Sequence, residues 1–107
     1  METYTPAEVA QLIGVSANRV RQLVNDRKLM AVPGSGKGKI PVDFVLDGEI
    51  LRHLPGLITV LADGGFDEQE IFEWLFREDE SLPGTPVQAL RDDRHTEVTR
   101  RAQASAF

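Results

Sequence analysis

The chain contains no cysteine. That excludes disulfides, thiolate nucleophiles, zinc knuckles and iron–sulfur clusters. Long hydrophobic runs are missing as well. The longest is four residues, Leu29 to Val32, far below the roughly 20 that span a bilayer. Glu2 and Glu8 stand where a signal peptide would carry basic and then apolar residues, so no secretory segment is visible. A cytoplasmic protein without a membrane partner is expected. Histidine is scarce: His53 and His95 lie 42 positions apart, without ligand spacing, so no metal or other cofactor is expected. No Ser/His/Asp grouping is discernible, and catalysis finds no support.

What is present is an ordinary globular composition: 107 residues, 41% hydrophobic and 27% charged. That suits one compact unit, or two very small ones sharing a core. The net charge of −5 hides an asymmetry. Residues 1–42 hold six basic and three acidic residues, a net +3. Residues 43–107 hold six basic and fourteen acidic residues, a net −8. All six N-terminal cations (Arg19, Arg21, Arg27, Lys28, Lys37, Lys39) fall within residues 19–39. Such clustering points to a basic binding face, although a charge run also serves simply to solvate a surface.

Thr5-Pro6-Ala7-Glu8 reads as a capping box with proline at the first helical position. Tyr4 and Val9 are spaced as a hydrophobic staple. Val9, Leu12 and Ile13 follow at helical spacing, and Gly14 ends the helix. Ser16 caps a second helix, with Val15 and Val20 spaced as its staple. Val20, Leu23 and Val24 form its buried stripe, which places Asn18, Gln22 and Asn25 on the opposite face with Arg19 and Arg21 beside them. Leu29-Met30-Ala31-Val32 and Lys39-Ile40-Pro41-Val42 flank a glycine-rich turn and read as a β-hairpin. Phe44 to Leu54 is ambiguous, because Gly48 interrupts it. Beyond it the pattern is helical: Pro55 to Asp63, a helix capped by Asp67 and Glu70 with Phe66 and Ile71 as staple, a turn at Leu82-Pro83-Gly84, a short helix from Thr85-Pro86 to Leu90, and a last helix from about Asp93 towards Phe107, with Glu97 spaced to pair with Arg101.

Two capped helices joined by a short turn containing glycine, the second with a polar outer face, form a helix-turn-helix. Residues 5–44 resemble the MerR and excisionase-type regulators, with Glu8-Val9-Ala10, Ile13-Gly14-Val15-Ser16 and Val20-Arg21 at the matching places and the basic hairpin where those families carry a wing. Nearly the whole chain resembles the small actinobacterial winged helix-turn-helix DNA-binding proteins, through Leu54-Pro55-Gly56-Leu57, Leu61-Ala62-Asp63-Gly64-Gly65-Phe66, Trp74-Leu75-Phe76 and Arg100-Arg101-Ala102-Gln103-Ala104. Residues 70–102 are more weakly similar to the toxin-binding domain of Xre/ParS-type antitoxins.

The expected fold is therefore mainly α with a small β-hairpin wing: a winged helix-turn-helix domain (1–45) packed on a C-terminal helical domain (46–107). The expected function is sequence-specific binding of double-stranded DNA by a nucleoid-associated transcriptional regulator, with recognition helix 17–26 in the major groove. Asparagine and glutamine can bond adenine bidentately, which makes Asn18, Gln22 and Asn25 candidate base readers. Arg19, Arg21, Lys37 and Lys39 are candidate phosphate contacts, and the helix start at Ser16 can itself meet a phosphate. The alternative is an adaptor or antitoxin-like module that binds a protein partner, or itself, through the C-terminal helices. The resemblance also implies a serine/threonine kinase as a partner, with Thr3, Thr5 and Ser16 as hydroxyls that can accept phosphate.

Other patterns have plainer explanations. Gly34-Ser35-Gly36-Lys37-Gly38-Lys39 lacks the first glycine and the Ser/Thr of a phosphate loop, and a wing turn accounts for its glycines. The carboxylates of residues 63–80 lack calcium-loop spacing and read as solvating and capping groups. Trp74 reads as a core anchor in preference to an interface residue. Phe72 and Phe76 are the better interface candidates.

Overall fold

The computed structural model describes residues 1–36, 38–79, 82 and 84–105. Lys37, Glu80, Pro83 and Phe107, each invoked above, lie outside the described residues. Helix α1 (Pro6–Ile13) starts where the capping box places it. The Thr5 hydroxyl accepts from the Glu8 N–H at 3.2 Å, and the Thr5 N–H donates to Glu8 Oε1 at 2.9 Å. Gly14 closes the helix at φ 76, a left-handed turn that costs glycine little. Helix α2 (Ala17–Asn25) follows, and the Ser16 hydroxyl accepts from the Arg19 N–H at 3.0 Å. Val9, Ala10, Val20 and Val24 are buried. Val15 departs from expectation. It stays 39% exposed, as Leu12 stays 43% exposed, so no buried staple forms with Val20. The turn is held instead by backbone: the N–H groups of Gly14 and Val15 both donate to the Ala10 carbonyl, at 2.9 and 3.0 Å.

The wing is paired differently from the hairpin the sequence suggests. Residues 29–32 form no strand. Leu29, Met30 and Ala31 are all buried. A bond from the Val32 N–H to the Lys39 carbonyl at 2.8 Å spans the glycine-rich turn, and the Ser35 N–H and hydroxyl both donate to the Val32 carbonyl within it. Its second arm, β2 (Ile40–Pro41), pairs antiparallel with β1 (Thr3–Tyr4), Tyr4 opposite Ile40. The Val42 N–H extends that pairing to the Glu2 carbonyl at 3.2 Å.

A true two-strand hairpin comes next, inside the ambiguous stretch. After a 3₁₀ turn (Val42–Phe44), β3 (Val45–Leu46) pairs with β4 (Glu49–Ile50). Asp47 and Gly48 connect them at φ 54 and 78, the doubly left-handed turn that Asp-Gly favours. A Cβ at Gly48 would stand 3.6 Å from the Leu12 carbonyl oxygen, so the hairpin tip lies against α1.

Four helices follow among the described residues: α3 (Leu54–Asp63), α4 (Glu68–Phe76), α5 (Pro86–Arg91) and α6 (His95–Ser105). Asp67 and Glu70 make the expected capping box, at 2.8 and 3.0 Å, and the Thr85 hydroxyl accepts from the Gln88 N–H at 3.2 Å. The buried side chains form a single core that runs from Val9 to Ala102. Phe44 sits at its waist, fully buried, with Phe76 at 5.6 Å and Phe72 beyond it at 4.8 Å. Phe72 and Phe76, the interface candidates, are partly buried and packed on the core. Trp74 is half-buried, and its indole N–H donates to Ser105 Oγ at 3.3 Å. It joins α4 to the end of α6. Arg91 completes the junction: its guanidinium donates to the Asp43 and Val45 carbonyls, both at 2.9 Å. Bonds from a charged donor are worth about 1.5–3 kcal/mol, so this arginine fastens α5 to the segment that links the two regions.

Candidate nucleic-acid interface

The stripe of α2 decides what its other face can do. Val20 and Val24 turn inward, and Ser16, Asn18, Arg19, Arg21, Gln22 and Asn25 are all exposed. The helix thus brings together every candidate residue placed on it. Lys39 is exposed behind the glycine-rich turn. Lys37, the other wing candidate, falls outside the described residues. Arg27 and Lys28, also exposed, extend the basic surface past the end of α2. They belong to the cation run visible in the sequence, but helical spacing does not point to them, because they lie beyond the end of the helical face.

The polar groups of this face hold one another. Arg21 Nη1 donates to Asn18 Oδ1 at 3.1 Å, and Arg19 Nη1 donates to Gln22 Oε1 at 3.5 Å. Each pair spans three residues, the spacing at which helix side chains meet. The guanidinium groups thereby orient two of the amides suited to adenine edges. The first turn of α2 contains no acidic residue. The positive end of its backbone dipole is left uncompensated, a setting that attracts phosphate.

Elsewhere the structure joins residues that sequence spacing keeps apart. His53 and His95 stack face to face, with ring centroids 3.7 Å apart and an interplanar angle of 11°. Stacked faces do not converge two ring nitrogens on one ion. No group of three or more His, Cys, Asp or Glu able to hold a metal occurs among the described residues. The stack takes water from one face of His53, which lowers its pKa from the ordinary 6.5; the charges of His95 and Arg52 push the same way, and Asp93 opposes them. No helix among the described residues is long and apolar enough to cross a membrane.

This geometry has counterparts in known proteins. Residues 1–45 match the family model described as the winged helix-turn-helix domain of DNA-binding protein Rv2175c. Residues 51–106 match the Rv2175c C-terminal domain, described as of unknown function. DNA-binding protein Rv2175c of Mycobacterium tuberculosis is 41% identical over 118 residues, a match covering 98% of this chain and 81% of that protein. The NMR structure of Rv2175c shares the fold with a TM-score of 0.86 at 39% identity, again over 98% of this chain and 81% of the other.

Proposed function

The chain belongs to the Rv2175c family of winged helix-turn-helix DNA-binding proteins, and from that premise we propose that it binds double-stranded DNA as a transcriptional regulator. The observation that carries the reading is the exposed face of α2, where amides and guanidiniums bond to one another and the first turn holds no acidic residue. Asn18, Gln22 and Asn25 read base edges in the major groove. Arg19, Arg21, Lys37, Lys39 and the N-terminus of α2 at Ser16 hold phosphates. Residues 1–45 supply the DNA-facing surface and residues 46–107 the support, and the second half carries a net −8 that repels phosphate. The helix-turn-helix is of the MerR and excisionase kind in this reading. A kinase partner fits the same scheme: phosphate on Ser16 would add about −1.5 to −2 charges at the start of α2 and oppose DNA.

The test separates base reading from backbone attraction. Asn18→Ala or Gln22→Ala should weaken the cognate site by about 1–3 kcal/mol and leave random duplex nearly unaffected. Lys37→Ala with Lys39→Ala should lower both affinities and flatten the log–log salt slope by about 0.9 for each phosphate no longer neutralised. Titrations of cognate and random duplexes at several salt concentrations distinguish the two. A lysine pair that sets site preference, beside amide variants that change nothing, would transfer base reading to the wing.

A further inference from the structure

Between the end of α2 and the C-terminal helices lies a cleft of about 300 Å³. Its floor is apolar: Leu29, Met30, Ile58 and Ile71 are buried, and Phe66 is partly so. Its polar lining is Asn25 and Arg27 from the end of α2 together with Asp67 and Glu68 from the start of α4. The Asp67 carboxylate is already engaged, accepting from the Glu70 N–H at 2.8 Å. The Arg27 guanidinium and the Glu68 carboxylate have no hydrogen-bond or ion-pair partner among the described residues. Arg27 also holds a left-handed backbone at φ 59, just past a helix end where glycine is the usual occupant.

We propose that this cleft binds a small zwitterion with an apolar side group, of the size and chemistry of a free apolar α-amino acid. Arg27 and Glu68, of opposite charge, line one cleft with an apolar floor. A carboxylate alone would answer Arg27 and meet Glu68 with like charge. An amine alone would do the reverse. A hydrocarbon would cover both charges without compensating either. An amino acid meets all three demands: carboxylate to Arg27, ammonium to Glu68, side chain over Leu29, Met30, Ile58 and Ile71. The volume stands at the lower limit of ligand pockets, roughly 300–1,000 Å³, which suits such a ligand better than a nucleotide. The site touches Val24 and Asn25 of α2, so occupancy bears on the last turn of the DNA-facing helix, and any effect on DNA affinity is reciprocated on the ligand. Only that regulatory consequence rests on the DNA-binding reading; ligand binding stands without it.

The test is a titration of the full chain, free of DNA, with L-leucine and with L-phenylalanine, followed by amide chemical shifts. Saturable shifts centred on Met30, Ile58 and Ile71 are expected, up to about 10 mM ligand. Arg27→Gln and Glu68→Gln should each weaken binding roughly threefold to tenfold while leaving the remainder of the spectrum in place. Isocaproate and isoamylamine, which carry one charge each, should bind more weakly by similar factors. Absence of saturable shifts, or equal binding by the variants and the singly charged analogues, would overturn the proposal. Failure of the chain to bind DNA would overturn the functional reading and leave this titration untouched.

Discussion

Helices α2 and α4 are built to one plan and present opposite surfaces. Each has nine residues, and each is capped by a side-chain oxygen that accepts from the third helical N–H. Each buries its fourth and eighth residues, Val20 and Val24 in one, Ile71 and Leu75 in the other. Outwardly they diverge. α2 shows Asn18, Arg19, Arg21, Gln22 and Asn25, whereas α4 shows Glu68, Gln69, Glu70 and Glu73. α4 has two glutamates in its first turn behind the Asp67 cap, and α2 has no acidic residue there. The positive backbone end is therefore answered from within the chain in α4 and left open in α2. Inward residues decide that a helix packs; outward ones decide what it can meet.

The largest effect should come from the shared inward position. Leu75→Ala removes a fully buried side chain and should cost about 2–5 kcal/mol. Because the core is continuous, the loss should appear as one cooperative transition by both circular dichroism and Trp74 fluorescence. Two separated transitions would show that the regions around α2 and α4 fold independently.

The caps provide a sharper contrast at lower cost. Ser16→Ala and Asp67→Ala should each destabilise the chain by about 1 kcal/mol. Their effects on DNA should differ, since only Ser16 stands at the open helix end. A duplex titration in which Asp67→Ala weakened binding as much as Ser16→Ala would erase the distinction between the two helices.

Acid should produce the smallest effect, and it arises from the second region alone, which contains both histidines. The pKa of His53 is lowered in the folded chain, so the unfolded chain takes up the proton first. Stability is complete above the ordinary value of 6.5 and declines as pH falls below it. A slight drop in melting temperature below that pH, reduced in His53→Gln, is the expected result. A rise on acidification would contradict the stacking account.

Much of this comparison is legible in the residue order, because caps and stripes are local. Thr5 with Glu8, Ser16 with Arg19 and Asp67 with Glu70 involve neighbours three positions apart, and helical angle alone places Asn18 and Gln22 outward. The Asp47-Gly48 turn is within reach as well: Asp-Gly is a strong hairpin signal, masked when Gly48 is read only as an interruption of an apolar pattern. The pairing of β2 with β1 is out of reach. Two residues carry no periodicity, and their partner lies across both helices. The His53–His95 stack and the cleft beside Arg27 are hidden for the same reason, since each forms only when distant segments meet.

The bonds from Arg21 to Asn18 and from Arg19 to Gln22 have a thermodynamic consequence. In the proposed complex, an amide that turns to a base must first give up its guanidinium, which becomes available to a phosphate. Sequence reading and charge neutralisation are then linked within each pair at the cognate site, where the two residues do not act independently. Removing Asn18 also releases Arg21, and removing Arg21 leaves Asn18 unoriented. A cycle of single and double substitutions around either pair would therefore not close additively, and the non-additive remainder would measure the exchange itself.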